Sequence, residues 1–194
     1  MGDHFVIVVN DFLNDFDIFR NHAISRNYDA TTNPQDGIAY PDISLDIPEE
    51  IKAEITAKIA QKLGGNVVYH YLFMRKSSQG VSVPNIVHSD HEMGQFSLML
   101  YLNDLDDCLG GTAFMSHKDT GMNTHPINQK QLDILHADGN DIDKWQAQSV
   151  VQMMPNRAVL FDSKDLHCAL PVGGFGSTNQ DSRLVLTAFF ECHD

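Results

Sequence analysis

The residues with the clearest chemical potential are two histidines, an aspartate and an arginine. They occur as His88-Ser89-Asp90, then His167 far downstream, and then Arg183. Two imidazoles and one carboxylate can hold non-haem Fe(II) on one face and leave the other positions open for a co-substrate and O₂. A guanidinium on an inward strand face suits the bidentate capture of a small dicarboxylate. The set therefore predicts iron-dependent oxidation chemistry.

Strand periodicity must position these side chains. Residues 83–88 predict a strand, and because strand side chains alternate, His88 and Asp90 would point to the same side of a sheet. His167 is expected on a separate strand that completes the triad. The apolar run 183–190 predicts a further strand, on which Arg183 shares a face with Val185 and Thr187.

A His-x-Asp triplet carries little weight alone, because a chain with 10 histidines forms such pairs by chance. The chain holds three: His88/Asp90, His117/Asp119 and His136/Asp138. The second pair reads as a turn and the third as a helix end running into Gly-Asn, and both are expected on the solvated surface. Only the first pair lies beside a long apolar strand, at 96–102.

At these residues the chain resembles the 2-oxoglutarate/Fe(II)-dependent dioxygenases, and among them the prolyl-4-hydroxylase-like group. The family pattern is His-x-Asp, a long gap, His, and then a basic residue some ten to sixteen positions on. Segments 97–104 and 110–114 match a further stretch of that pattern, and 156–161 with 165–167 match the strand and turn that deliver the second histidine. The resemblance covers roughly 67–191.

The resemblance implies the cofactors and the reaction. His88, Asp90 and His167 would bind Fe(II), 2-oxoglutarate would chelate the metal through its 2-oxo acid end, and Arg183 would bind its other carboxylate. O₂ is the second co-substrate, ascorbate an optional reductant, and succinate and CO₂ the by-products. Hydroxylation of a peptidyl residue such as proline, or of a small metabolite, is the expected outcome.

Two positions depart from branches of the family. Collagen-type prolyl hydroxylases usually carry Lys where this chain has Arg183, so the chain is closer to the bacterial and oxygen-sensing branches. Val185 stands where an Arg-x-Ser signature would place Ser. Asp90 is retained, which argues against the halogenase variant.

Four further residues are candidates for binding the co-substrate or the substrate. Related oxygen-sensing hydroxylases place a tyrosine at the position of Tyr101, where it assists the arginine, although a core tyrosine is an equal alternative. Thr187 shares the face of Arg183 and could donate from its hydroxyl. Tyr71 is preferred to Tyr69 as an inward-facing co-substrate ligand. Arg75, near the loop that starts at 77, is a candidate substrate ligand, with a solvated loop position as its alternative.

The remaining pattern predicts a mainly β fold with flanking helices, a double-stranded β-helix or jelly roll, in one domain over 1–194. Residues 1–65 would form a supporting strand and helices around a loop-like segment at 27–46. Asp46 and Glu49 suggest a capping box for a helix that ends at Gly64 and carries an apolar stripe of Ile51, Ile55, Ile59 and Leu63. Residues 66–191 would form the core, interrupted by a polar insert at 116–148. The predicted core strands are 67–74, 83–89, 96–102, 112–115, 150–154, 158–161, 166–170 and 184–190.

Composition fits a single soluble, cytoplasmic catalytic domain. The chain has 194 residues, 42% of them hydrophobic, no apolar run of membrane-spanning length, no signal-peptide pattern, and three cysteines without zinc-type spacing. The net charge of −13 makes nucleic acid an unlikely partner and favours a small neutral or basic substrate, or a basic peptide. Oligomeric state is not encoded in any pattern found.

Three alternatives share the predicted barrel. A cupin-like metalloenzyme would need no 2-oxoglutarate, but Arg183 and the lack of a paired His-x-His argue against it. A non-catalytic jelly-roll binding module would make the triad coincidental and would not bind stoichiometric Fe(II). A third is a 2-oxoglutarate-consuming enzyme that performs desaturation or ring closure.

Overall fold

The computed structural model describes residues 5–32, 39–82 and 85–193, and these form ten strands and three α-helices. The helices are α1 (Phe16–Ile24), α2 (Glu49–Leu63) and α3 (Gln129–Asp138). The strands are β1 (Val6–Val9), β2 (Asp29–Thr32), β3 (Ala39–Ser44), β4 (Asn66–Ser77), β5 (Phe96–Tyr101), β6 (Gly111–His117), β7 (Trp145–Gln152), β8 (Ala158–Asp162), β9 (His167–Leu170) and β10 (Arg183–His193).

The strands form two antiparallel sheets. The larger has the order β1-β8-β5-β10-β4-β3-β2, and the smaller has the order β7-β6-β9. Strands adjacent in space are mostly distant in sequence, as in β5, β10 and β4, which is the crossover pattern of a jelly roll. The predicted double-stranded β-helix is confirmed. Within the described part of the chain, no helix is both long and apolar enough to cross a membrane.

The inner face of the larger sheet follows from its register. Val185 on β10 lies opposite Tyr101 on β5 and opposite Arg75 on β4. Directly opposed residues of antiparallel strands point to the same side. Residues of alternate positions along these three strands therefore face the smaller sheet, where Phe114 packs against Phe161 with ring centroids 5.2 Å apart.

The outer face of the larger sheet packs against α1 and α2. Ile51, Ile55 and Ile59 of α2 form the predicted stripe, and all three are buried in one cluster with Phe19 of α1 and with Leu186 of β10. Burial of this apolar surface stabilises the sheet from outside. The inner face combines a second apolar cluster, which includes Phe114, Phe161 and Val185, with the polar residues of the candidate site.

The N-terminal half departs from expectation in two places. Residues 27–46, predicted as loop, contain β2 and β3, which add two strands to the edge of the larger sheet. The predicted capping box does not form: α2 begins at Glu49 after Pro48, with no side-chain cap. Asp46 instead accepts a hydrogen bond from Arg26 at 2.8 Å, because Pro48 shifts the helix start away from Asp46.

The segment before the first candidate ligand is also different. The described part of the strand predicted over 83–89 is not a strand, and Val83 and Pro84 lie outside the described residues. The N–H groups of Ile86 and Val87 donate instead to Asn140 and Gly139, which follow α3. The segment is therefore fixed by the insert rather than by a sheet ladder.

The polar insert is shorter than predicted. The strand expected over 150–154 is β7, which begins at Trp145 and pairs along the whole of β6. Most of its side chains are exposed on both faces, so its sequence lacks the apolar alternation that marks a half-buried strand.

Candidate metal centre

The three predicted metal ligands come together at one end of the inner face. His88 and His167 form a single antiparallel bridge, in which each backbone N–H donates to the other's carbonyl, at 3.1 and 2.9 Å. The backbone N–H of Asp90 donates to the carbonyl of Ser163 at 2.8 Å. Two short backbone connections thus hold the His88–Asp90 segment against the start of β9.

The ligand atoms converge. Asp90 Oδ1 lies 3.7 Å from His88 Nε2, and Asp90 Oδ2 lies 3.2 Å from His167 Nε2. One ligand atom from each residue falls within 4.8 Å of the other two, and among the described residues this is the only group of three or more His, Cys, Asp or Glu that does so. Bonds of about 2.1 Å to a common metal would bring such atoms to this order of separation.

Hydrogen bonds orient each ligand. His88 Nδ1 lies 3.2 Å from the carbonyl of Ile86, and His167 Nδ1 lies 2.9 Å from the carbonyl of Asp165. A carbonyl can only accept, so each Nδ1 carries the proton and each Nε2 presents its lone pair to the centre. The arrangement suits a divalent cation that prefers nitrogen and oxygen ligands.

Two buried serines support the carboxylate. Ser97 Oγ donates to Asp90 Oδ2 at 3.4 Å and lies 2.8 Å from Ser163 Oγ. Both serines are fully buried. The sequence predicts a strand at Ser97 but no role for it, although Ser97 lies two residues before Met99 and four before Tyr101, a spacing that indicates a shared inward face.

The protonation states of His88 and Asp90 suit metal binding, whereas His167 must release a proton to the solvent before it can bind a metal. Burial, followed by the neighbouring His167, lowers the pKa of His88 to about 4, so His88 is neutral near pH 7. Burial alone would lower the pKa of His167, but the Asp90 carboxylate outweighs it and raises that pKa. Burial would likewise raise the pKa of Asp90, yet the two histidines hold it below its usual value and keep the carboxylate ionised.

Arg183 lies on the same inner face, at the start of β10. Its side chain is buried, and its Nε has no hydrogen-bond partner among the described residues. Its guanidinium carbon lies 5.7 Å from the centre of the Tyr101 ring, and Nη2 lies 3.8 Å from Met99 Sδ. A buried charged donor without an acceptor lowers the stability of the ligand-free protein. A bound anion would supply the acceptor, so Arg183 is suited to bind one.

Comparison with known proteins adds the family and the fold. A family model described as "Family of unknown function (DUF6445)" matches residues 1–190. The chain belongs to DUF6445. No curated protein matches it.

Solved structures resemble the DUF6445 protein in fold. EctD from S. alaskensis with bound Fe is 16% identical, with a TM-score of 0.51, over 96% of this chain and 72% of that chain. SnoN, a non-heme alpha ketoglutarate dependent epimerase from nogalamycin biosynthesis, is 11% identical, with a TM-score of 0.56, over 96% and 76%. A 2OG-Fe(II) oxygenase family oxidoreductase from Burkholderia pseudomallei is 12% identical, with a TM-score of 0.55, over 97% and 86%. At these identities the similarity shows only the fold, which this chain shares with the 2OG-Fe(II) oxygenases.

The other predicted co-substrate residues occupy distinct positions. Tyr101 is fully buried, and its hydroxyl lies 2.7 Å from Thr112 Oγ1 on the smaller sheet, so it bridges the two sheets as well as lying beside Arg183. Thr187 is buried two positions beyond Val185 on the inner face. Tyr71 lies opposite Phe189 on that face, whereas the hydroxyl of Tyr69 bonds Thr56 of α2 on the outside.

Arg75 is not at the edge of a solvated loop. β4 continues to Ser77, and Arg75 points to the inner face opposite Val185, with its Nε buried. The sequence indicated a loop because Arg75 and Lys76 are followed by Ser-Ser-Gln-Gly, a polar stretch that strand pairing overrides.

The histidine of the second His-x-Asp pair is not on the solvated surface, and this corrects the expectation. His117 is 3% exposed, with Nε2 3.0 Å from Asp138 Oδ2 and Nδ1 3.1 Å from Thr120 Oγ1. Asp138 comes from the third pair, while His136 is exposed as predicted. The contact ties β6 to α3, and both imidazole nitrogens are already used.

Proposed function

We propose that this protein is an Fe(II)- and 2-oxoglutarate-dependent dioxygenase that hydroxylates its substrate and releases succinate and CO₂. The observation that carries the proposal is the joint arrangement of His88, Asp90 and His167 with a buried Arg183 on the same inner face. A metal triad alone fits several enzyme classes. The addition of a buried guanidinium with an unpartnered Nε supports an acidic co-substrate.

The residues present fit the metal and the co-substrate. His88 and His167 would hold Fe(II) through Nε2, and Asp90 would hold it through a carboxylate oxygen, which leaves positions open on the opposite side. Arg183 would bind the distal carboxylate of 2-oxoglutarate, and Thr187 and Tyr71 are proposed to line the same space. Tyr101 would hold the Arg183 guanidinium in place through its ring.

Bound Fe(II) would supply O₂ activation coupled to the oxidative decarboxylation of 2-oxoglutarate, with one oxygen atom entering succinate and the other the substrate; ascorbate would serve only to keep the iron reduced. The chain itself provides orientation and a dry surrounding. The Phe161 ring lies 4.9 Å from the His167 ring, and Phe114 lies 6.4 Å from it, so apolar side chains cover one side of the triad.

The prolyl-4-hydroxylase-like pattern supports hydroxylation of proline or a comparable carbon in a peptide or a small metabolite. The same fold serves other outcomes elsewhere: SnoN is an epimerase and SnoK a carbocyclase, both alpha ketoglutarate dependent. EctD has been captured with 2-oxoglutarate and 5-hydroxyectoine, which is a small molecule. We therefore propose hydroxylation of a small molecule before that of a peptide.

The test is an anaerobic titration of the protein with Fe(II) and 2-oxoglutarate, in which the visible metal-to-ligand charge-transfer band is recorded. The band should require both additions. It should be absent in Asp90→Ala, and Arg183→Ala should need at least about tenfold more 2-oxoglutarate, because one charge-assisted pair is lost.

The alternatives give different results in the same titration. A cupin-like metalloenzyme would bind Fe(II) without forming the band on addition of 2-oxoglutarate. A non-catalytic binding module would not bind stoichiometric Fe(II). Circular dichroism of each variant separates loss of the band from loss of the fold, and a folded, iron-loaded wild type without the band would refute the proposed function.

A further inference from the structure

A second arginine occupies the inner face. Arg75 lies on the opposite side of β10 from Tyr101, between β10 and β3, where it is opposed by Val185 and by Ile43. Arg183 points toward β5, where it meets Tyr101 and Met99. The two arginines therefore meet different neighbours on the inner face, Arg183 those of β5 and Arg75 those of β3, although each is within electrostatic range of the other.

Arg75 is incompletely satisfied by the protein. Its Nε is buried and has no hydrogen-bond partner in the part of the chain that the structure describes. The groups that attract its charge are Asp90, Tyr40 and Asp42, and Arg183 and His88 also lie within electrostatic range of it. Asp90 is directed at the two histidines, and Asp42 pairs with Lys76 at 3.7 Å. These carboxylates attract Arg75 without giving its Nε an acceptor.

The co-substrate does not supply that acceptor in the arrangement proposed above. Of the two carboxylates of 2-oxoglutarate, one would be at the metal and the other at Arg183. A further acceptor for Arg75 must then come from a third anionic group. The surface beside Arg75 is aromatic, since Phe73 and Tyr71 both pack against Phe189, at 6.1 and 6.3 Å between ring centroids.

We propose that Arg75 binds an acidic group of the substrate, so that the substrate is a small organic acid with an apolar portion against Phe73 and Phe189. This inference rests on the proposed function, whose iron and co-substrate positions it uses. It replaces the expectation of a neutral or basic substrate, which followed from the net charge of −13. Net charge describes the outer surface, whereas the substrate would meet the guanidinium groups of a buried Arg183 and a partly buried Arg75.

Acetate and acetamide are suitable probes, because they have nearly the same shape and differ in charge. The protein is loaded with Zn²⁺ in place of Fe(II) and saturated with 2-oxoglutarate, and the Arg75 Nε–H resonance is followed by ¹H–¹⁵N NMR. Acetate should shift the resonance saturably, and acetamide should bind at least about tenfold more weakly, because a charge-assisted hydrogen bond is replaced by a neutral one.

Three variants complete the experiment. In Arg75→Gln, acetate binding followed on nearby backbone amides should be lost, and Arg75→Lys should recover part of it. Lys76→Gln removes the same charge from the next residue of β4, whose side chain points to the other face, and should behave as the wild type. The thermal midpoint of Arg75→Gln should be unchanged or higher, because a buried donor without an acceptor has been removed.

The outcomes distinguish this inference from the proposed function. If the wild type does not bind 2-oxoglutarate at all, the proposed function fails first. If Arg75→Gln loses 2-oxoglutarate rather than acetate, Arg75 belongs to the co-substrate and the inference is wrong. Equal binding of acetate and acetamide, an absence of saturable binding by wild type, or unchanged acetate binding in Arg75→Gln would also overturn it.

Discussion

The two ends of the candidate site are built in opposite ways. At the metal end, the Nδ1 atoms of His88 and His167 have carbonyl acceptors, and Asp90 is supported by Ser97. At the arginine end, Arg75 and Arg183 each keep a buried Nε without an acceptor. The protein thus completes the surroundings of the metal ligands by itself but leaves the anion-binding groups to be completed by a ligand.

The difference separates two requirements. Metal ligands must be held at fixed geometry before the ion binds, so their outer hydrogen bonds belong to the protein. An anion-binding group is more selective when its buried donors carry a desolvation penalty in the ligand-free protein, because only a ligand with the right charge and shape gives those donors an acceptor. Substitutions at the metal end should therefore change metal affinity and its pH dependence, whereas substitutions at the arginine end should change anion binding with little loss of stability.

The largest effect is expected from removal of a metal ligand. His167→Ala should weaken Fe(II) binding by more than about 100-fold, since even outer-shell changes cost up to that much. His117→Ala is the matched control, because His117 is equally buried and also contacts a carboxylate. It should lower the free energy of unfolding by about 1–3 kcal/mol and leave iron binding unchanged. Equal loss of iron in both variants, measured by anaerobic titration, would mean that His167 is only structural.

A change of pH should act at the metal end through His167. Its pKa is raised by Asp90, and the proton must leave before the metal binds, so Fe(II) affinity should fall by up to about tenfold per pH unit below that raised pKa. In the metal-free protein, the stability of the fold has the opposite pH dependence to the iron affinity. The ion pair between protonated His167 and Asp90 stabilises the fold fully below the unfolded-state pKa of about 6.5, and this contribution is lost as the pH rises through the raised pKa of the folded state.

The measurement is the Fe(II) dissociation constant under anaerobic conditions between about pH 8 and pH 6, a range that begins near the ordinary pKa of histidine and extends upward in the direction of the shift. His88 should not add to the dependence in this range, because its pKa of about 4 keeps it neutral. An iron affinity that is the same at both ends of the range contradicts the assignment of the raised pKa to a metal ligand.

A smaller effect is expected from the serine that supports Asp90. Ser97→Ala should weaken Fe(II) binding by about tenfold, because the carboxylate loses one hydrogen bond that orients it. Ser116→Ala is the control: Ser116 is a buried serine of β6 that accepts from Gln148 at 2.8 Å, away from the triad. If both variants bind iron like the wild type, the 3.4 Å contact between Ser97 and Asp90 has no role in metal binding.

The smallest effect on the site is expected at Tyr101. Its hydroxyl forms a hydrogen bond with Thr112, so Tyr101→Phe should lower the free energy of unfolding by about 1 kcal/mol. Thr112→Val should lower it by about the same amount. The double variant should lose less than the sum of the two, because both changes remove the same bond. The affinity for 2-oxoglutarate should change less than about threefold, because the ring remains beside Arg183. Urea unfolding and the charge-transfer titration check both parts, and a tenfold loss of 2-oxoglutarate affinity would make the hydroxyl a direct ligand.

The local sequence pattern is sufficient to predict a helix or strand where one face of that element is continuously apolar. The strand predicted over 96–102 is β5, and the apolar stripe of α2 is buried as expected. The hairpin of β2 and β3 was missed, since edge strands bury little and the sequence of β3 contains Pro41 and Asp42. The segment at 85–88 is fixed by Gly139 and Asn140, which no local pattern can reveal.

The candidate site divides in the same way. The sequence alone shows the types and order of the candidate ligands His88, Asp90 and His167 and of Arg183. In the structure, the three ligands lie close together and Arg183 lies on the same face of the sheet. The placement of Arg75 depends on the register between β4 and β10. This register is set by the pairing of strands that are distant in sequence. The local sequence does not contain it, and the polar stretch after Arg75 therefore predicts a loop.

The single bridge between His88 and His167 has a consequence for how such chains diverge. The position of His88 depends on one reciprocal pair of hydrogen bonds with His167 and on the bonds of Ile86 and Val87 to the residues after α3, and not on a pairing of this segment with β4. Evolution can therefore lengthen or shorten the connection that precedes Ile86 without displacing the candidate metal ligands. One residue inserted between His88 and Asp90 would displace the carboxylate from the two imidazoles, because the backbone on each side of it is held by hydrogen bonds to His167 and Ser163. Within DUF6445, we expect variation in length before the first histidine and a constant spacing after it.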